Sequence, residues 1–169
     1  MLEICNTTGL NTKWLGEAFG GYLARWGRWR LRVLVRASRG ADYSGSCRYD
    51  LSRFTINIRP TLAYPYRMGT HLARTRTHGR AWIKPVVYVE IADGHWLALF
   101  IFLHELYHWL VYKAGRNRRQ KESMADRVAA RALVDDFGSR VVTADGEAVD
   151  RGTWDFQDVE GFVAAARRA

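Results

Sequence analysis

The amino-acid sequence predicts one α+β domain over residues 1–169, in which a small, twisted, mainly antiparallel or mixed sheet packs against two helices. Three observations support this fold class. Strand-like alternation dominates the first half of the chain, whereas helical periodicity dominates the second half. The sequence contains no internal repeat, linker or low-complexity tract. With 169 residues, of which 48% are hydrophobic, the chain is long enough to bury one core.

The first half of the chain is predicted to form one helix and two or three strands. Apolar residues recur at helical spacing over 14–26. The segments RLRVLVRA at 30–37 and RFTINIRP at 53–60 alternate apolar and polar residues, as half-buried strands do. SCRYD at 46–50 is a weaker strand candidate. Residues 61–84 show no periodicity and predict a long connection, which in a compact domain is usually functional or mobile.

The segment VVYVEIA at 86–92 predicts a strand that leads into a helix. The helix is predicted over about 95–113, with Asp93 as its N-terminal cap and Gly115 at its end.

The rest of the chain predicts two helices separated by a hairpin. The first of these helices is expected over about 119–136 and ends at Gly138. A hairpin is expected at VVTADGEAV, 141–149, because Asp-Gly favours a tight turn. FQDVEGFVAAARRA, 156–169, predicts a closing helix.

The chain is strongly basic, with a formal net charge of +9 and a pI of about 10.0. Such a charge favours an anionic partner, most often nucleic acid, although many small basic proteins bind none. Arginine-rich segments at 25–39, 67–80 and 116–121 could contact phosphates, and nearby aromatic residues could stack on bases. These aromatic residues are Trp26, Trp29, Tyr64 and Tyr66.

Several features predict a cytoplasmic protein without membrane association. Cys5 and Cys47 form no CxxC pair, so a cysteine zinc site is not expected, and a reducing compartment is the simplest expectation. The N-terminal residues lack the pattern of a signal peptide. The apolar run at 96–103 is too short to span a bilayer before His104 and Glu105 interrupt it.

The segment FLHELYHWL places three ionisable residues within an otherwise apolar helix. His104 and His108 are four residues apart and so lie on one helix face, where two neutral imidazoles can bind one zinc ion. Glu105 points to a neighbouring angle, from which it can reach a water on the metal without ligating it. The alternative is a set of satisfied core groups. Unpaired, these groups would cost several kcal/mol to bury.

A catalytic zinc normally has three protein ligands, and no histidine follows His108. On the next predicted helix, Glu122 and Asp126 are four residues apart, on a face that small apolar residues continue. Acids on a packing face need a positive partner, which zinc can supply to Glu122 and a ligating histidine's N–H can supply to Asp126. A solvated acidic face beside Arg127 and Arg131 is the alternative.

HELYH followed by ESMAD on the next helix resembles the gluzincin metallopeptidases, whose fold is zincin-like. The resemblance implies that His104, His108 and Glu122 are the zinc ligands. It further implies that Glu105 is the general base and that Asp126 orients the first histidine. In that clan the strand before the active-site helix is a sheet edge that binds extended peptide, so VVYVEIA would have this role.

Two weaker resemblances concern other H-E-x-x-H proteases. A strand, a G-x-C segment at Gly45 and Cys47, a proline-ended strand and HELYH are similar to SprT-like proteases, which act on DNA-bound proteins. That family completes its zinc site with a downstream histidine, which this sequence lacks. HELYH and ESMAD together are also similar to ImmA/IrrE-like proteases of bacterial and phage regulation.

The predicted function is therefore zinc-dependent hydrolysis of a protein or peptide substrate, with Glu105 as general base. The alternative is a non-catalytic, nucleic-acid-binding module with structural zinc or none. Glu147 and Glu160 are poorer ligand candidates than the glutamate of ESMAD. Residues that could stabilise an oxyanion are His71, His78, Tyr64, Tyr66 and Tyr112.

Overall fold

A computed structural model of the protein describes residues 1–117, 119 and 121–164, without the side chains of Arg76 and His78. It shows an α+β chain with mixed and antiparallel sheets. The strands are β1 (Leu2–Asn6), β2 (Leu31–Ala37), β3 (Tyr43–Arg48), β4 (Arg53–Ile58), β5 (Tyr66–Thr70), β6 (Arg76–His78), β7 (Ala81–Ile83), β8 (Val87–Ile91) and β9 (Val141–Val142). The helices are α1 (Thr12–Ala24), α2 (Gly94–Lys113), α3 (Glu122–Phe137), α4 (Arg151–Trp154) and α5 (Val159–Ala164).

The largest sheet has four strands in the order β1-β2-β4-β3. β1, β2 and β4 run parallel, and β3 joins β4 as an antiparallel edge strand. Alternation along β2 and β4 buries one face of this sheet, and Val33 lies opposite Phe54 in the register. The predicted strands at 30–37 and 53–60 are confirmed. The weaker candidate at 46–50 is displaced, because pairing with β4 begins at Tyr43.

α2 lies in the middle of the core. Asp93 caps it through Oδ1, which accepts hydrogen bonds from the backbone N–H groups of His95 (2.8 Å) and Trp96 (3.0 Å). Gly115 has a φ of +65° just beyond the helix, where a left-handed residue ends it as predicted. The ring of Phe102 stacks on Phe19 of α1 at 4.1 Å between centroids. Nearly every α2 side chain from 97 to 111 is buried, so the helix is held rigidly.

α3 packs along α2 through small residues such as Ala125 and Ala129, which are fully buried. It ends at Gly138, whose φ of 73° is left-handed, as the sequence predicts. Helical structure begins at Glu122, later than the predicted residue 119. Residues 118 and 120 lie outside the described part of the chain.

The second sheet has the order β5-β8-β9 and corrects two predictions. β8 lies between β5 and β9, so VVYVEIA is not a sheet edge. The connection over 61–84, predicted to lack periodic structure, contains β5 and the β6-β7 hairpin.

β1 and α4 have no counterpart among the predicted elements. The hairpin expected at 141–149 is present in short form, since Val142 bridges to Ala148.

The closing helix is α5, shorter in the described chain than the predicted 156–169, of which residues 165–169 lie outside the described part. Among the described residues, no helix is both long and apolar enough to cross a membrane.

Candidate metal centre

Two histidines of α2 point their Nε2 atoms at the same spot. His104 and His108 are one helical turn apart, and their Nε2 atoms are 3.1 Å from each other. The first turn of α3 brings Glu122 against them, with its Oε2 atom 3.2 Å from His104 Nε2 and its Oε1 atom 3.2 Å from His108 Nε2. One nitrogen from each histidine and the carboxylate of Glu122 therefore converge on a single point. These three residues could hold a metal ion.

The spacing of these atoms suits zinc. Ligand atoms at about 2.0–2.1 Å from a tetrahedral zinc ion lie roughly 3.4 Å apart. The two Nε2 atoms are 3.1 Å apart and each is 3.2 Å from its nearest carboxylate oxygen of Glu122, which is close to that value. The donor set of two imidazoles and one carboxylate is also one that catalytic zinc sites use.

Asp126 sets the orientation of the first histidine. Its Oδ1 atom is 2.9 Å from His104 Nδ1, so Nδ1–H donates to the carboxylate and Nε2 keeps its lone pair for a metal. Its Oδ2 atom accepts a hydrogen bond of 3.0 Å from the backbone N–H of His71, just after β5. One buried carboxylate therefore fixes both His104 and the end of β5.

The charges of the group are strongly coupled. Burial lowers the pKa of His104, but hydrogen bonds to Asp126 and Glu122 outweigh it and raise that pKa to about 9. The hydrogen bond with His104 lowers the pKa of Glu122 to about 2. Burial and the charge of His104 lower the pKa of His108. Without a metal, a proton on His104 is thus the positive partner of both acids.

Glu105 lies beside the donor group and is not part of it. Its residue is only 8% exposed, and burial raises its pKa to about 7. A carboxyl group with that pKa can take and release a proton near neutral pH. Gly45 of β3 lies directly against it, since a Cβ there would overlap Glu105 Oε1 and lie 2.7 Å from Ile101 Cγ2.

These residues line a cleft of about 500 Å³ between two sheets. One wall is β3 with the following Tyr49, the opposite wall is the segment 68–71, and α2 and α3 form the floor. Tyr43 and Tyr66 make an edge-on ring contact at 6.1 Å that links β3 to β5. The donor atoms are therefore accessible from a groove of the size expected for a ligand site.

Among the described side chains, one of the predicted oxyanion-stabilising residues is found in the cleft. His71 lines it, whereas Tyr64, Tyr66 and Tyr112 do not belong to its lining. The side chain of His78 lies outside the described part of the chain. Neither of the poorer ligand candidates, Glu147 and Glu160, lines the cleft.

Several residues of the site have no sequence signal. Tyr43 and Tyr49 line the cleft because the antiparallel edge strand β3 begins at the first and ends just before the second, and no local pattern indicates this. Arg127, which the sequence only suggests as a neighbour of a solvated acidic face, is 2% exposed. Its guanidinium donates to Leu72 O (2.6 Å) and Trp154 O (2.7 Å), which holds the cleft wall after β5 against α3.

Comparison of the chain with protein-family models, with curated proteins and with solved structures found no match.

Proposed function

We propose that the protein is a zinc-dependent peptidase. One observation carries the proposal: a buried glutamate adjoins a His-His-Glu donor group inside an accessible cleft. The buried glutamate, the donor group and the cleft each have a simpler explanation when taken alone. Hydrolysis by a general base requires all three together. The gluzincin resemblance belongs to this proposal, since its ligand set matches the residues that converge here.

In this proposal zinc is held by His104, His108 and Glu122. Bound there, it supplies Lewis-acid polarisation of a carbonyl oxygen and lowers the pKa of a water molecule towards about 7. Among the described side chains the donor group has three members, whereas structural zinc normally has four protein ligands. This open donor set favours catalysis over a purely structural metal.

Glu105 performs the proton transfers of the proposed reaction. It removes a proton from the attacking water as the water oxygen bonds to the carbonyl carbon of the peptide. It then delivers that proton to the amine nitrogen as the C–N bond breaks, so the products are an amine and a carboxylic acid, which releases its remaining proton to solvent. His71 is the described candidate for an additional donor to the oxyanion, because it lines the cleft wall opposite β3.

The proposed substrate is an extended peptide segment. β3 pairs only with β4, and β5 pairs only with β8 among the described strands, so both present an unpaired edge. Both edges contribute residues to the same cleft. An extended chain could therefore form main-chain hydrogen bonds to one edge or bridge both. In this proposal β3 takes the role that the gluzincin resemblance gives to VVYVEIA.

A conservative substitution of the base tests the proposal. Glu105→Gln keeps the size of the side chain but cannot accept the proton, so hydrolysis of unfolded casein should fall by about 10²–10⁴-fold. Bound zinc should stay at the wild-type level, because Glu105 is not a ligand in the proposal. Glu160→Gln is the matched control, since this exposed glutamate of α5 lies outside the cleft. Full activity of Glu105→Gln would contradict the proposed mechanism.

A further inference from the structure

The four-stranded sheet has an outer face opposite the helices. α1 and α2 pack on its inner face, where Val33 and Ile56 are fully buried. The alternate residues of each strand point the other way, and among the described elements we find no helix packed on them. This outer sheet face comprises Glu3, Cys5, Arg32, Leu34, Arg36, Ser44, Ser46, Arg48, Arg53, Thr55 and Asn57.

Three arginines stand in one row across the outer sheet face. Arg32 lies opposite Arg53, and Arg53 lies opposite Arg48 on the third strand. Neighbouring strands are about 4.8 Å apart, so the bases of these side chains are in direct proximity. Like charges placed directly opposite each other destabilise a sheet. An anion bound to the row would remove this repulsion.

Intramolecular acids compensate the charge only in part. Arg32 pairs with Glu3 at 3.2 Å and Arg48 pairs with Asp50 at 3.3 Å, but both pairs are more than half exposed and therefore weak. Arg53 forms no ion pair within the described chain. Its Nε atom is buried and finds no hydrogen-bond partner among the described residues.

The positive surface continues along β2 to the carboxyl ends of the parallel strands. Arg36 lies four residues beyond Arg32 on the same face, which at about 3.3 Å per residue is roughly 13 Å further along the strand. Arg36 lines a surface depression. Hydroxyl groups, an amide group and a second arginine line the same depression. The lining includes Thr7, Arg36, Ser38, Arg39, Ser44 and Asn57.

The outer sheet face is poor in apolar side chains. Leu34 occupies the position between Arg32 and Arg36 and is the one large apolar residue of this face. None of the residues that make up the face is aromatic.

We propose that the outer sheet face binds the phosphate backbone of nucleic acid. Guanidinium, hydroxyl and amide groups are the donors that contact phosphate oxygens in such complexes. Without aromatic side chains the face offers no stacking platform, so binding should not depend on base sequence. A membrane surface fits less well, because insertion would need more apolar side chains than Leu34 alone. The face lies across the sheet from α2, so this inference goes beyond the proposed peptidase and does not depend on it.

Salt-dependent binding of a fluorescent DNA duplex of about 20 base pairs and of the matching single strand tests the inference. For the wild-type chain, affinity should fall steeply as NaCl rises from about 50 to 200 mM. Arg36→Gln combined with Arg53→Gln should weaken duplex binding about tenfold at the lower salt concentration and reduce the slope of log K against log salt by about 1.8. Because Arg53 is partly buried, Arg36→Gln with Arg48→Gln provides a second variant in which both positions are exposed.

The control removes the same charge elsewhere. Arg80→Gln with Arg116→Gln changes two exposed arginines of the other basic segments and should leave affinity within about twofold of wild type. Glu105→Gln should also bind DNA normally, whatever its effect on hydrolysis. Three results would overturn the inference: no duplex or single-strand binding at low salt, equal losses in the outer-face and control variants, or binding to phosphatidylserine vesicles without binding to DNA.

Discussion

At the scale of single residues, the candidate site depends on where protons and lone pairs are placed. Asp126 holds Nδ1 of His104, which leaves Nε2 facing His108 and Glu122. The sequence predicts this pairing because residues four apart share a helix face. Gly45 could not be predicted in the same way. Its importance comes from its close approach to Glu105, which only the packing of β3 on α2 creates.

Zinc affinity should rise with pH, because zinc must displace the proton that His104 holds with a pKa of about 9. Below that pKa each unit of acidification should cost the wild type about tenfold in affinity from this proton alone. Asp126→Asn removes a negative charge that raises the pKa of His104. The zinc affinity of this variant should therefore stop rising at a lower pH than the zinc affinity of the wild type. At about pH 9 this variant should bind zinc about 10–100-fold more weakly than wild type, and the gap should narrow towards pH 7. Competition with a chelator across this pH range measures the difference in zinc affinity between the two proteins. A difference that does not change with pH would contradict the role of Asp126 in raising the pKa of His104.

Gly45→Ala should displace Glu105, the proposed general base. The new methyl group overlaps Glu105 Oε1 and crowds Ile101, so β3 must move away from α2 at a cost of about 1–3 kcal/mol. Displacement of the base should lower hydrolysis on the order of 10²-fold. Gly21→Ala is the control, because nothing lies within 4 Å of its added Cβ and alanine favours the helix by about 0.5–1 kcal/mol.

Thermal unfolding and casein hydrolysis distinguish these two glycine variants. Both Tm and hydrolysis should fall for Gly45→Ala, whereas Gly21→Ala should keep wild-type hydrolysis with an equal or higher Tm. Wild-type hydrolysis by Gly45→Ala would show that the close approach of β3 does not position the base.

At the scale of secondary structure, clear end signals or strong periodicity make elements predictable, and elements that lack both are missed. α2 begins and ends within one or two residues of its prediction, because Asp93 and Gly115 mark its ends. β5 and β9 are short and flank β8, and their own segments lack clear alternation. The expectation of a sheet edge at β8 is therefore wrong, since non-local pairing places this strand in the middle. Pairing partners of this kind are decided by tertiary packing and not by local sequence.

Arg127→Met should loosen the attachment of α3 to the cleft wall. The substitution leaves the carbonyl groups of Leu72 and Trp154 without their donor, at a cost of roughly 3 kcal/mol or more. For a chain of this size, Tm should fall by about 6–12 °C. Arg140→Met removes an exposed arginine that pairs with Glu90, so its Tm should fall by less than about 3 °C. Scanning calorimetry compares the Tm values of the two variants. Equal decreases in Tm would show that Arg127 does not stabilise the attachment of α3 to the cleft wall.

At the scale of the whole molecule, two sheets and two helices enclose one groove. The fold class is predicted in its coarse form, since the chain is α+β with mixed and antiparallel sheets. The groove itself could not be predicted, because it exists only where the unpaired edges of β3 and β5 approach α2. The basic character of the chain is evident from composition. Its concentration on the outer sheet face requires the strand register, which places Arg32, Arg53 and Arg48 in one row.

The zinc content of the purified chain is the most direct test of the proposed metal centre. After dialysis against metal-free buffer, mass spectrometry of the metal should find one zinc per chain in the wild type. Glu122→Ala should lose most of this zinc, because it removes the carboxylate that is the third member of the donor group. Glu147→Ala, an exposed glutamate outside the cleft, should keep it. A wild-type chain without zinc, or a Glu122→Ala variant that retains one zinc per chain, would contradict the account.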